Sequence, residues 1–196
     1  MGRGKVLRIG GYISGSVLIV FGIVVIVLGI WGFMFTRDHI KQEGIVFGPA
    51  SDPAVAKHAE KWAGEPVETG SQALAFAEVM REHTLAATNG MTYAEMGQYQ
   101  SAANPSDPKG TNDEAAAAKD AKGQPISNGA RDIWVTETAL TTALNTGFMS
   151  EMLSIFSIIV GVALLLTGIG LVILAFAVFG RGSRAAPATA AGGASA

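Results

Sequence analysis

The chain has 196 residues and a formal net charge of −2, and 49% of its residues are hydrophobic. That average hides a split: every acidic residue lies between Asp38 and Glu151, while the two ends carry only basic ones. Five scattered terminal cations are not a groove-lining patch, so nucleic acid is not an expected partner. The lack of cysteine excludes disulfides, thiolate zinc sites, iron–sulfur clusters and a cysteine nucleophile.

Residues 1–8 read as a short basic tail. From Ile9 to Thr36 no charged residue occurs. Such a run exceeds the roughly 20 residues needed to cross hydrocarbon, and unpaired backbone groups are intolerable in lipid, so 9–36 is expected to be a transmembrane helix. A cleaved signal peptide fits poorly, because the run is too long and no small-x-small pattern follows Phe35. The helix is expected to run on through Glu43 and to end at Gly44.

Asp52-Pro53 is a helix start, a cap followed by proline in the first turn, and predicts a short helix over 54–63, stopped by Gly64. The stretch 71–88 predicts an amphipathic helix with Leu74, Ala77, Met80, Thr84 and Ala87 on one face, closed by Asn89-Gly90. Thr92-x-x-Glu95 is a capping box opening a short helix toward Tyr99. Residues 101–127 contain three prolines and no large aliphatic residue before Ile126. This composition predicts a mobile segment, with at most a marginal helix over 111–121.

Asn128 reads as the next cap. One helix is expected from about 130 to 179, roughly 75 Å long at about 1.5 Å per residue, entering a second uncharged span over 152–180. Residues 181–196 read as a disordered cytoplasmic tail. Arg3, Lys5 and Arg8 precede the first span, and Arg181 and Arg184 follow the second. Only Arg37 and Lys41 flank the spans on the other side. The imbalance places both ends in the cytoplasm and residues 37–151, with a net charge of −7, outside. Trp31, Phe33, Phe35, Tyr12 and Phe179 suit interfacial belts. The fold class expected is therefore all-α: two transmembrane helices with a small extracytoplasmic helical cap and a partly disordered loop.

Neither span contains Asp, Glu, Lys, Arg or His. Pumps, channels and proton-coupled carriers need ionisable or polar interior groups, so a transport role would require partners or a large homo-oligomer. Small residues permit close helix approach. Gly11 and Gly15 lie four apart, Gly22 and Gly29 seven apart, and Gly161, Gly168 and Gly170 mark the second span. Their partner could be the other span, a second copy or another protein.

The stretches HTLAATNGMTYAEMGQY (83–99), ARDIWVTETALTTALNTGF (130–148) and KQEGIVFGPASDPA (41–54) resemble a group of small two-span membrane proteins of actinobacteria. That group often carries the label of aromatic ring-opening dioxygenase. The label implies a non-haem iron held by two histidines and a carboxylate. His39, His58 and His83 each have carboxylates nearby in sequence but no recognised ligand spacing. No Gly-x-Ser-x-Gly elbow or phosphate loop occurs, so no catalytic, cofactor or metal residue is assigned.

The external aromatics Phe47, Trp62, Phe76, Tyr93, Tyr99 and Trp134 are either the core of the cap or a docking face. Candidate interaction residues are Trp62, Phe76, Met80, Tyr93 and Trp134 outside, and Gly11, Gly15 and Gly161 in the spans. The expected role is a non-enzymatic accessory or scaffold subunit of an envelope membrane complex. Its partners would be the bilayer and either other membrane subunits or a second copy. The alternative is a membrane-anchored protein binding a ligand or lipid in an apolar pocket among Trp62, Phe76, Met80 and Trp134. A metal-dependent oxygenase is the third reading.

Overall fold

A computed structural model describes residues 3–177, so Phe179, Arg181, Arg184 and the C-terminal tail lie outside the described residues. Four α-helices carry the chain: α1 (Arg3–Gln42), α2 (Pro53–His58), α3 (Gly70–Ala87) and α4 (Gly129–Ala177). Single-turn 3-10 segments occupy Glu60–Trp62 and Tyr93–Glu95, and among the described residues extended pairing is limited to isolated bridges. The chain divides into two compact units, Met1–Trp31 with Ser154–Ala196, and Gly32–Leu153. α1 and α4 each contribute to both.

Both long helices are long and apolar enough to cross a membrane, and only 11% and 17% of their most apolar windows are buried. A core helix of a soluble protein would bury most of such a window. Here large side chains such as Phe21, Trp31, Phe156 and Phe176 are exposed.

In the first unit α1 and α4 pack antiparallel through their smallest residues. A Cβ built at Gly15 would lie 2.7 Å from the Gly168 carbonyl oxygen, one at Gly22 2.7 Å from that of Gly161, and one at Gly29 2.9 Å from that of Ser154. The contacts are reciprocal: Gly168 meets the Gly15 carbonyl at 2.6 Å, and Gly161 meets that of Gly22 at 2.8 Å. Gly15, Gly22 and Gly29 recur every seven residues on α1, as do Ser154, Gly161, Gly168 and Ala175 on α4. A seven-residue period keeps one seam in register and implies a left-handed supercoil. A side chain at Gly15, Gly22, Gly29, Gly161 or Gly168 would push the backbones apart.

The second unit has its own core. Phe47, Val55, Val67, Ala77 and Val79 are buried together with Ile40 of α1 and Leu144 of α4. The turn after α1 uses Gly44 at φ 62°, and residues 45–48 then pair with 64–67, Phe47 N–H donating to Glu65 O and Val67 N–H to Ile45 O. Asp52 caps α2, accepting from Ala54 N–H at 2.9 Å. The helix expected over 54–63 is shorter, because buried Ala59 leaves helical geometry at φ −146° and a 3-10 turn carries the chain to Trp62.

α3 begins at Gly70, capped by Thr69, whose hydroxyl accepts from Gln72 N–H at 3.2 Å. It ends at Asn89 and Gly90, both at positive φ. The Thr92–Glu95 capping box forms, but it opens only a single 3-10 turn.

Residues 101–127 carry a set of hydrogen-bonded turns, and 111–121, expected to be at most a marginal helix, is not helical. The physical reason is polar rather than apolar. Carboxylate oxygens of Asp107, Asp113 and Asp120 accept backbone N–H groups two residues on, an arrangement that competes with helix. Ala118 N–H donates to Gln100 O, and Tyr99 and Thr111 exchange both backbone bonds. Asn128 closes the segment, its amide donating to Gly97 O and Pro108 O while its carbonyl caps α4 at Ala130 N–H.

Candidate interaction surfaces

The second unit is tied together by one carboxylate. Glu151 of α4, with a side chain 4% exposed, accepts from Arg37 Nε and Nη2, both at 3.2 Å, and from the Gly70 N–H at 2.8 Å. Gly70 is the first residue of α3, so the carboxylate sits where the helix leaves its N–H groups unpaired and its dipole favours negative charge. A side chain at Gly70 would meet the Cα of Phe148 at 2.9 Å. The Arg37 guanidinium also lies 4.2 Å over the Phe33 ring. One ion pair thus joins α1, α3 and α4.

A second polar group joins α2 to α3. His83 Nε2 lies 2.9 Å from one Asp52 oxygen and 3.1 Å from the other, and Glu82 binds Lys57 Nζ at 2.9 Å and His58 Nε2 at 3.5 Å. The hydrogen bond from His83 holds the Asp52 carboxyl below its ordinary range, helped by the backbone N–H groups of α2. Lys57, then His58, do the same for Glu82. His39 engages the Phe35 carbonyl oxygen.

An iron site would need two histidines and a carboxylate converging on one point. His58 and His83 are instead taken up in separate carboxylate pairs. Among the described residues no three His, Asp or Glu side chains are grouped to hold a metal ion.

The aromatic candidates separate into two places. Trp62 and Phe76 both pack on buried Phe47, the first stacked at 5.9 Å between centroids and the second edge-on at 5.4 Å. These are core. Trp134 is buried elsewhere, donating its indole N–H to Met91 O at 2.9 Å beneath the Arg81 guanidinium. Tyr93, exposed and covered on one face by Arg131 at 4.0 Å, shares an open hollow with Trp134, Val135 and Thr142. Met80 lines a different hollow, with Thr84, Ile133 and Glu137. Among the described residues, Trp134 and Met80 thus line separate hollows, while Trp62 and Phe76 pack on Phe47.

Gly11, Gly15 and Gly161 all face the other long helix of the same chain, a Cβ built at Gly11 falling 2.8 Å from that of Ala175. A methyl group at Gly10 or Gly170 would meet nothing within 4 Å. Sequence reasoning missed the Arg37–Glu151–Gly70 clamp, whose members are up to 114 residues apart. It also missed a groove of about 310 Å³ bounded by Phe35 and His39 of α1, Glu43 just beyond that helix, and Ala143, Thr146 and Ser150 of α4. A charged residue at the end of each uncharged run is the one local sign of the clamp.

The class these features define is an α-helical protein with two apolar, membrane-compatible helices paired by glycine and a separate, polar, mostly helical unit. No family model, curated protein or solved structure matches the chain.

Proposed function

We propose that the protein is a two-pass membrane subunit that acts by presenting surfaces to partners in the plane of a cell membrane, not by catalysis or transport of its own. Residues 37–151 would lie outside the cytoplasm and both ends inside it, as the basic flanks suggest. Kinship with the two-span actinobacterial group belongs to this reading, supported by the stretches at 41–54, 83–99 and 130–148.

The glycine seam is the observation that carries the proposal. The carbonyl of one helix sits where the Cβ of the other would be, so the pair has no lumen through which a solute could pass. The seam also takes up Gly11, Gly15, Gly22, Gly29, Gly161 and Gly168, leaving Gly10 and Gly170 outside it. What remains for partners is the exposed outer face of each span and the acidic outer unit.

Photo-crosslinking residues placed at Phe156, Phe176 and Trp31 in native membranes test the reading. Discrete polypeptide adducts at a subset of these positions are expected. Lipid adducts alone at every position would contradict a subunit role.

A further inference from the structure

We infer that the groove between the outer ends of α1 and α4 holds an acyl chain of a membrane phospholipid. The inference rests on membrane insertion of the two spans.

The floor of the groove is Thr36 and Ile40 on one side and Leu144 and Gly147 on the other. Gly147 has no side chain to fill it: a Cβ there would lie 3.3 Å from Ile40. The mouth is made by two ridges, Phe35 and His39 on α1 with Glu43 in the turn that follows it, at four-residue spacing, and Ala143, Thr146 and Ser150 on α4. Between Phe35 and Glu43 it extends about 12 Å at about 1.5 Å per residue.

Position identifies the occupant. Phe35 and Thr36 are the last residues of the first uncharged run, and Ser150 immediately precedes Glu151 and the second run. The groove therefore begins where hydrocarbon ends and rises through the headgroup layer, which adds about 5–8 Å on each side of the core. Its apolar wall would otherwise face water or headgroups at that level, which is unfavourable in proportion to its area. The nearest apolar material able to cover it is the upper part of a lipid chain whose lower part stays in the bilayer. The upper end carries Glu43 and His39, a polar rim at the height of a headgroup.

The test uses the full chain reconstituted in phosphatidylcholine–phosphatidylglycerol vesicles containing a phospholipid with a diazirine on its acyl chain, with adducts mapped by mass spectrometry. Adducts are expected on groove residues 35–45 and 140–150 as well as on the exposed span residues Trp31 and Phe156. Ala143→Trp and Thr146→Trp, both at exposed mouth positions, should each lower groove labelling about tenfold and leave span labelling unchanged. Two variants guard against one failing to fold. Labelled spans with an unlabelled groove, groove labelling indifferent to both variants, or groove adducts to a second polypeptide would each overturn the inference alone. Absence of label on the spans would remove the membrane reading and the inference with it.

Discussion

Glu151 binds Arg37 through two guanidinium nitrogens across 114 residues of chain, and the same carboxylate caps the start of α3 at Gly70. Losing the arginine strands a buried carboxylate on a single N–H. Breaking a fully buried pair costs roughly 3–5 kcal/mol, but Arg37 is 37% exposed and partly solvated. Arg37→Met is therefore expected to destabilise the Gly32–Leu153 unit by about 2 kcal/mol. Denaturant unfolding in detergent, followed by the fluorescence of Trp62 and Trp134, measures it. An unchanged midpoint would show the pair to be incidental.

The glycine seam makes a contrast within one residue type. Gly22→Ala and Gly161→Ala each place a methyl group 2.7 Å from backbone or side-chain atoms of the facing helix. Overpacking of this kind costs about 1–3 kcal/mol. Gly10→Ala and Gly170→Ala meet nothing, and alanine is favoured over glycine in helices by about 0.5–1 kcal/mol. The first pair should lower the melting temperature and the second should hold or raise it. Equal effects would mean that the helices do not meet along this face.

Acid should loosen the pairing of α2 with α3. The folded-state values of Asp52 and Glu82 are both lowered, the first mainly by the His83 hydrogen bond and the second by those of Lys57 and His58. A depressed carboxyl contributes stability that is complete above the ordinary carboxylate range and is lost as pH falls through the lowered value. Melting temperature should therefore drop between about pH 5 and pH 3. Asp52→Asn keeps a competent helix cap but removes a charge, so its profile should be flatter over that range. A variant profile parallel to the wild type would exclude the His83–Asp52 pair as a source of acid sensitivity.

Trp134 offers a test of the Gly32–Leu153 unit away from the Phe47 cluster. Its ring is 4% exposed and its indole N–H donates to Met91 O. Trp134→Phe keeps most of the buried area and leaves that carbonyl without this donor. A loss of about 1–2 kcal/mol is expected, and amide exchange around Met91 should rise. Unaltered exchange there would show that the bond does not anchor the turn after α3.

Local chemistry was legible in the sequence where a few adjacent residues decide it. Asp52-Pro53, Asn89-Gly90, the Thr92–Glu95 box and Asn128 each sit at the boundary they signal. Thr69-x-x-Gln72 carries the same kind of signal, which is why α3 starts a residue before the expected Ser71. Relationships over distance were not legible. Nothing near Trp62 or Trp134 says that one joins Phe47 while the other lies under Arg81. The turns of 101–127 depend on Asp and Asn side chains meeting particular N–H groups, which composition does not report. The glycine spacing was visible, but its partner becomes clear only when Gly15, Gly22 and Gly29 lie beside Gly168, Gly161 and Ser154.

The most direct test of the central claim is topology. The chain has no native cysteine, so single cysteines at Ser71, Ala116 and Ser183 can be probed in intact cells with a membrane-impermeant maleimide. Ser71→Cys and Ala116→Cys should label without permeabilisation, and Ser183→Cys only after it. Labelling of Ser183→Cys in intact cells with protection of the other two, or recovery of the protein in the soluble fraction, would contradict a two-pass membrane subunit with its polar unit outside.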